Sequence, residues 1–337
     1  MMMNKIKFIY LLFFPLLFSL GSCEHDTDTF DGPFLVDRFG EFVLIDSLDV
    51  SQLEVNFSEG QSVFFTAQFN KRVDWTVRIT GLTSGAVKLI EGFDNSLNAK
   101  NATWKGGTTE LPFFKEEQCL VELLIPEAET LLLTKEVTVT GTKAYDAMVY
   151  ADFEEDAGND LELGNFEFDF AIPPTGRLDD TPAQGDWYYF MEGTDNTLDN
   201  FFVGLITIKS TITGETYAPF PTFIPEDLYF NAFIYSDGAK HTIPVVGFII
   251  DSNDSGAFED GTDEIITAEI VNPINWTGWR QFSFPMSDLE IPEEKLRKMV
   301  AMRVILISNN GSQPTPRLPV SFGIDYISFT NGGPLEL

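Results

Sequence analysis

Short runs in which apolar and polar residues alternate, rich in β-branched and aromatic side chains, repeat along the chain between Gly, Asn, Asp and Pro; Ser62-Val63-Phe64-Phe65-Thr66-Ala67 and Lys135-Glu136-Val137-Thr138-Val139-Thr140 are examples. Alternation with period two is the mark of a strand that buries one face. Helical periodicity is confined to residues 292–299 and the vicinity of Glu127. The pattern therefore predicts an all-β protein. Roughly seven runs lie between Phe34 and Thr142, among them 75–79, 119–125 and 136–141, and this suits an N-terminal immunoglobulin-like β-sandwich. The Cys-Trp-Cys spacing of antibody domains is missing. About ten further runs follow, from the one opening at Tyr150 to 322–329, and they suit a C-terminal β-jelly-roll. The expected boundaries are 34–143 for the sandwich, 144–331 for the jelly-roll and 332–337 for a tail. Trp75 and Trp104 belong to the first block, as a core residue and a loop-packing residue.

The N-terminus follows a different rule. Lys5 and Lys7 precede an apolar stretch from Phe8 to Leu20, interrupted only by Pro15 and Ser19 and followed by Gly21 and Ser22. This is the order of parts in a signal peptide, and it is short of the roughly 20 apolar residues of a membrane span. Leu20-Gly21-Ser22-Cys23 resembles the lipobox of bacterial lipoproteins. The resemblance implies cleavage after residue 22 and acylation of Cys23. Glu24-His25-Asp26-Thr27-Asp28 resembles the acidic export signal of surface-exposed outer-membrane lipoproteins, with 23–33 as the tether. The expected location is the outer membrane, lipid-anchored and facing the exterior.

Charge narrows the partners. Loss of residues 1–22, which carry two lysines and no acid, takes the net charge from −31 to −33. Nucleic acid is excluded as a partner, because phosphate backbones are held by clustered Lys and Arg and no basic run exists among 21 basic and 52 acidic residues. With Cys23 acylated, Cys119 has no disulfide partner; its alternating surroundings predict an inert core thiol. Only His25 and His241 are present, so a Ser-His-Asp triad or a histidine zinc site is not expected. The segment 251–262 begins like an EF-hand loop but ends on Thr262 where a bidentate Glu is required. It is expected to be a solvated loop between strands.

Aromatic faces flanked by polar groups are what a pyranose ring needs. Trp187 and Tyr189 stand two apart and share a face if they lie on a strand, with Tyr188 on the other; Arg177, Gln184 and Asp186 lie upstream. Tyr217, Tyr229, Tyr235 and Trp276 are further candidate ligand-binding residues, although large aromatics also fill β-sandwich cores.

Three local patterns, Asp152-Phe153-Glu154, the run from Trp276-Thr277-Gly278-Trp279 to Phe284-Pro285, and Gly323-Ile324-Asp325-Tyr326-Ile327-Ser328-Phe329, resemble a galactose-binding-like carbohydrate-binding module over most of 145–331. The resemblance implies a structural calcium tying the first strand of the domain to the last, with Asp152, Glu154 and Asp325 as its acidic ligands, and places Trp279 in the core. Taken with the lipobox, the whole chain resembles the surface glycan-binding lipoproteins of starch-utilisation-type uptake systems. The expected function is non-catalytic capture of a polysaccharide or oligosaccharide for a neighbouring outer-membrane glycan transporter complex. A jelly-roll glycoside hydrolase or lyase, needing just two carboxylates, and a structural or adhesive envelope lipoprotein remain alternatives.

Overall fold

The computed structural model describes residues 40–128, 131, 133–154, 166–170, 176–178, 180–193, 202–238, 241–308 and 319–337. Cys23 and the tether lie outside them. Residues 40–43 carry no helix or strand, and residues 44–337 form one compact unit.

The first seven strands are β1 (Leu44–Val50), β2 (Glu54–Asn56), β3 (Val63–Gly81), β4 (Val87–Leu97), β5 (Thr103–Trp104), β6 (Gln118–Leu124) and β7 (Leu133–Gly141). They build one folded sheet in the order β1-β3-β6-β7-β2, with β4 and β5 also on β3. Every second residue of β3 from Val63 to Gly81 is buried, the period of a strand with one face in the core. The sequence suggests two runs here, 62–67 and 75–79. They are one strand because Lys71 takes an inward position. Its side chain is only 7% exposed, and its Nζ lies 2.7 Å from Glu127 Oε2. The polar break in the pattern is an ion pair rather than a turn. Cys119 alternates inward with Val121 and Leu123 on β6, and burial pushes its thiol up to about 12, with help from the charge of Glu117. Trp75 and Trp104 are both buried.

The remaining strands are β8 (Met148–Ala151), β9 (Phe166–Phe170), β10 (Gly176–Leu178), β11 (Tyr188–Gly193), β12 (Phe202–Lys209), β13 (Leu228–Asp237), β14 (Thr242–Ile250), β15 (Glu264–Glu269), β16 (Thr277–Pro285), β17 (Met299–Ser308) and β18 (Val320–Asn331). One sheet has the order β10-β11-β18-β13-β16 with β8 on β18; the other runs β15-β14-β17-β12-β9. The first of these strands thus pairs with the last, Ala151 against Ile327. A single short α-helix, α1 (Glu293–Leu296), is found among the described residues, within the expected helical turns. The two sheets enclose a core in which Phe230, Phe248 and Phe329 meet edge to face. The chain is all-β, a sandwich followed by a jelly-roll.

A shared apolar cluster joins the two parts. Phe113, from the segment between β5 and β6, stacks on Tyr145 with ring centroids 4.2 Å apart and meets Phe233 of β13 edge-on at 5.1 Å. Tyr326, Leu335 and Trp279 complete it. The Phe113 amide donates to the Ala183 carbonyl at 2.7 Å.

Candidate functional site

The outer face of the β10-β11-β18-β13-β16 sheet carries an aromatic row. Register pairs Phe190 with Gly323, Gly323 with Tyr235, and Tyr235 with Trp279, so these positions lie side by side across three strand pairs on one face. The Tyr188 ring joins them, 5.1 Å from Trp279 and 6.0 Å from Tyr235, while Tyr235 and Trp279 lie 5.4 Å apart. Gly323 makes room for this. A Cβ there would stand 2.8 Å from Tyr188 Cε2 and 2.9 Å from the Tyr235 Cβ, so a larger residue would lift the rings off the sheet. Tyr188 and Phe190 are buried, whereas Tyr235 and Trp279 are half-buried.

Two residues along each strand runs a polar row. Glu192 pairs with Ser321 and Asp237 with Thr277, and Ser321 Oγ donates to Asp237 Oδ2 at 3.0 Å. Apolar ring faces therefore lie next to hydroxyl and carboxylate groups, a combination suited to a ligand with both C–H faces and hydroxyls. The loop before β11 fixes the rings from the other side. Tyr188 donates its hydroxyl to Asp180 Oδ1 at 3.1 Å, and the Trp279 indole donates to the Thr181 carbonyl at 2.7 Å. Burial, with the charge of Asp180, pushes the Tyr188 hydroxyl above its ordinary range.

Of the candidates read from the sequence, Tyr235 stands in this row. Trp187 precedes β11, half-buried, with its amide bound to Glu154. Tyr189 is corrected: the alternation places it opposite Tyr188 as expected, but Tyr189 takes the inward side, 2% exposed and packed on Phe153, and Tyr188 takes the outward one. Trp276 is corrected too. Only 6% exposed, it packs on Phe282 in the core and donates its indole N–H to the Gly278 carbonyl, with the Arg280 guanidinium 5.0 Å from its ring. Trp279, expected in the core, is the half-exposed member of the pair. Its position facing β13 on the outer side of a sheet, not its local sequence, decides this. Tyr217 braces the acidic loop by donating to Asp251 Oδ2 at 2.8 Å. Tyr229 lies six positions from Tyr235 on β13, roughly 20 Å at strand spacing, so neither joins the row.

The loop at 251–263 is satisfied from within. Asp251 accepts the amides of Asn253, Ser255 and Gly256, and Asp263 those of Ser252 and Glu259.

Asp152, Glu154 and Asp325 lie in the region where β8 meets β18, without converging on one point. Asp325 is fully buried; its Oδ2 accepts the amides of Ala183 and Gln184, and its Oδ1 that of Tyr326. Glu154 Oε1 accepts the amides of Asp186 and Trp187, and Asp152 Oδ1 accepts the Glu154 amide at 3.3 Å. Gly185 lets Glu154 approach: its φ is 57°, and a Cβ would lie 2.2 Å from Glu154 Cδ. Burial raises the Asp325 carboxyl well above the usual range against the pull of these amides, and the charge of Glu154 raises it further. Glu154 is raised by burial first and then by the charges of Asp152 and Asp186, again against amide bonds. Among the described residues no three acidic, His or Cys side chains converge to hold a metal ion. The donor chemistry, hard carboxylate oxygens in mutual repulsion, suits calcium, and a carboxylate has about four lone-pair positions, of which Asp325 uses three.

No family model matches the chain, and no curated protein matches it. Solved structures similar to it include SGBP-B from a complex xyloglucan utilization locus in Bacteroides uniformis, at 12% identity and TM-score 0.35, covering 85% of this chain and 72% of that one. The N-terminal CBM22-1-CBM22-2 tandem domain of a Paenibacillus barcinonensis protein is similar at 11% identity and TM-score 0.36, covering 87% and 94%. The family 30 carbohydrate-binding module of a Clostridium thermocellum cellulosomal cellulase shows 12% identity and TM-score 0.31, over 56% and 94%. Likenesses this distant leave the ligand to be read from this chain's own residues.

Proposed function

We propose that the protein is a non-catalytic glycan-binding protein of the bacterial cell envelope, anchored to the outer membrane by lipid at Cys23, which captures a polysaccharide or oligosaccharide for a neighbouring outer-membrane transporter. One observation carries the binding reading. The outward row of Phe190, Gly323, Tyr235 and Trp279, with Tyr188 over it, lies beside the polar row of Glu192, Ser321, Asp237 and Thr277. A sugar ring stacking on Trp279 or Tyr235 would bring its hydroxyls to Ser321 and Asp237. The lipobox-like Leu20-Gly21-Ser22-Cys23 and the acidic residues after it support the location. Holding glycan beside a transporter acts through effective concentration and needs no turnover.

A structural calcium belongs to the same reading. Asp152, Glu154 and Asp325 would hold it and lock the first jelly-roll strand to the last.

The test is gel retardation of the mature protein against a panel of neutral and acidic polysaccharides, with a parallel assay for released reducing ends. Retardation without release supports the reading. Release of reducing ends, or no retardation by any glycan, defeats it.

A further inference from the structure

A cleft of about 460 Å³ opens where the sandwich meets the jelly-roll, within the range of roughly 300–1,000 Å³ common for small-ligand sites. Its walls come from three places: Phe113 to Glu116 before β6, Thr142 to Tyr145 in the connector, and Gln184 to Asp186 with Tyr326 from the jelly-roll. In a chain with 52 acidic and 21 basic residues, a lysine ordinarily finds a carboxylate. Lys143 does not. Its Nζ sits 4.4 Å from the centre of the Tyr145 ring and donates to the Glu336 carbonyl at 3.2 Å; no carboxylate lies within 4 Å of it among the described residues. Burial first, and the charge of Lys88 second, disfavour its ammonium, and among the described residues Lys88 Nζ itself has the Thr108 carbonyl as its partner, at 3.4 Å. From the facing wall Lys115 reaches Asp186 Oδ1 at 2.9 Å, but Asp186 is 78% exposed, so water competes for that pair and a ligand anion can replace it. Glu116 is the other acid of the lining. A further atom asks for a donor: Gln184 Oε1 is buried without a hydrogen-bond partner, a condition that costs stability unless a donor reaches it.

We propose that this cleft is a second ligand site, separate from the aromatic row, that takes a carboxylate-bearing sugar unit. The carboxylate is held between Lys143 and Lys115 with Lys88 behind, and a sugar hydroxyl donates to Gln184 Oε1 once the amide turns from its buried position into the cleft. The sugar part rests on the glycan reading above; the anion part rests on the lysines alone.

The experiment is calorimetric titration of the mature protein with three probes, D-glucuronate, D-glucose and acetate, repeated on Lys143→Gln, Lys88→Gln and Trp279→Ala, with melting curves confirming that each variant is folded. Glucuronate is expected to bind at least about tenfold more tightly than glucose or acetate, and to weaken about tenfold in Lys143→Gln, the scale of one charge-assisted hydrogen bond. A smaller loss is expected in Lys88→Gln, and in Trp279→Ala, which acts on the cleft only through the loop held at Thr181, a loss smaller than in Lys143→Gln. Glucuronate binding no better than glucose, or unchanged in both lysine variants, overturns the proposal. Acetate binding as tightly as glucuronate overturns its sugar part. If glucuronate behaves as expected while no polysaccharide retards the protein, the aromatic-row reading fails and this one stands; retardation abolished by Trp279→Ala with glucuronate never binding is the reverse.

Discussion

Asp325, in the middle of β18, and Glu154, just past β8, hold one short loop between them: Asp325 accepts the amides of Ala183 and Gln184, and Glu154 those of Asp186 and Trp187. The same loop supplies Asp180 and Thr181, which receive the Tyr188 hydroxyl and the Trp279 indole N–H. Buried Asp325 and half-buried Glu154 thus hold the loop to which two rings of the aromatic row are anchored, and Asp325 is close enough for its charge to act on Tyr188. Anything that changes their charge acts on the loop and on the rings.

Asp325 gives a pH signature of definite sign. Its folded-state carboxyl is raised well above the usual value, chiefly by burial, so the fold favours its protonated form. A raised group contributes stability that is complete below the unfolded value, about 4 for Asp, and is lost as pH climbs through the folded value. Asp325→Asn has a single carbonyl oxygen for three amides and strands at least one, costing about 1–3 kcal/mol. In chelator-containing buffer the variant's deficit in Tm should therefore be largest near pH 4 and shrink as pH rises toward 7. A deficit independent of pH would remove the proposed titration.

Calcium reverses that dependence if it binds. Neutralising Asp325, Glu154 and Asp152 with a divalent ion removes the repulsion and desolvation that raise the first two, and binding to the folded state alone adds RT ln(1 + [L]/Kd), about 2.7 kcal/mol at a hundred times Kd. Millimolar calcium should raise Tm at pH 7 for the wild type and not for Asp325→Asn, and EDTA should lower it. A wild-type transition that neither moves would leave the amides as the only partners of these carboxylates.

Much of this architecture is legible in the sequence, because period-two alternation records which side of a strand is buried. The cases that fail are those in which a partner distant in the chain decides. Lys71 interrupts an apolar run and reads as the end of a strand, yet Glu127 pairs with it and β3 continues to Gly81. Tyr188 and Tyr189 show the right alternation with the faces exchanged, since parity says which residues share a side and not which side meets the second sheet, while Trp187 stands before the strand begins. Trp276 and Trp279 sit in one motif; only the pairing of Tyr235 with Trp279 shows which of them lies on the outer face. The acidic triad is legible by residue type, whereas its amide partners at 183–187 carry no side-chain signal at all.

Cys119 shows a local prediction with a chemical consequence. It has no exposed surface, and its thiol is pushed up to about 12, by burial first and the Glu117 charge second; the thiolate that attacks electrophiles is then scarce at neutral pH. With Cys23 replaced by Ala, the folded protein should resist maleimide at pH 7 over hours and react stoichiometrically once unfolded. Rapid labelling of the folded protein would show that β6 opens.

The two tryptophans of the Trp276–Trp279 segment should fail in different ways. Trp276 is enclosed among core side chains, so Trp276→Ala leaves a cavity and removes the surface under Arg280, and a loss of about 3–5 kcal/mol in folding stability is expected. Trp279 is half-exposed, with its indole N–H on Thr181 and its ring beside Tyr188 and Tyr235. Trp279→Ala should lower stability less and weaken retention by a binding glycan by about 1–3 kcal/mol, the range found when a stacking aromatic is removed from under a flat ligand. Tyr235→Phe, which keeps the ring, should retain most of the binding. Denaturant titration and gel retardation on the same preparations separate the two losses. If Trp276→Ala abolished retention at unchanged stability while Trp279→Ala left it intact, the binding face would lie on the other side of the sheet.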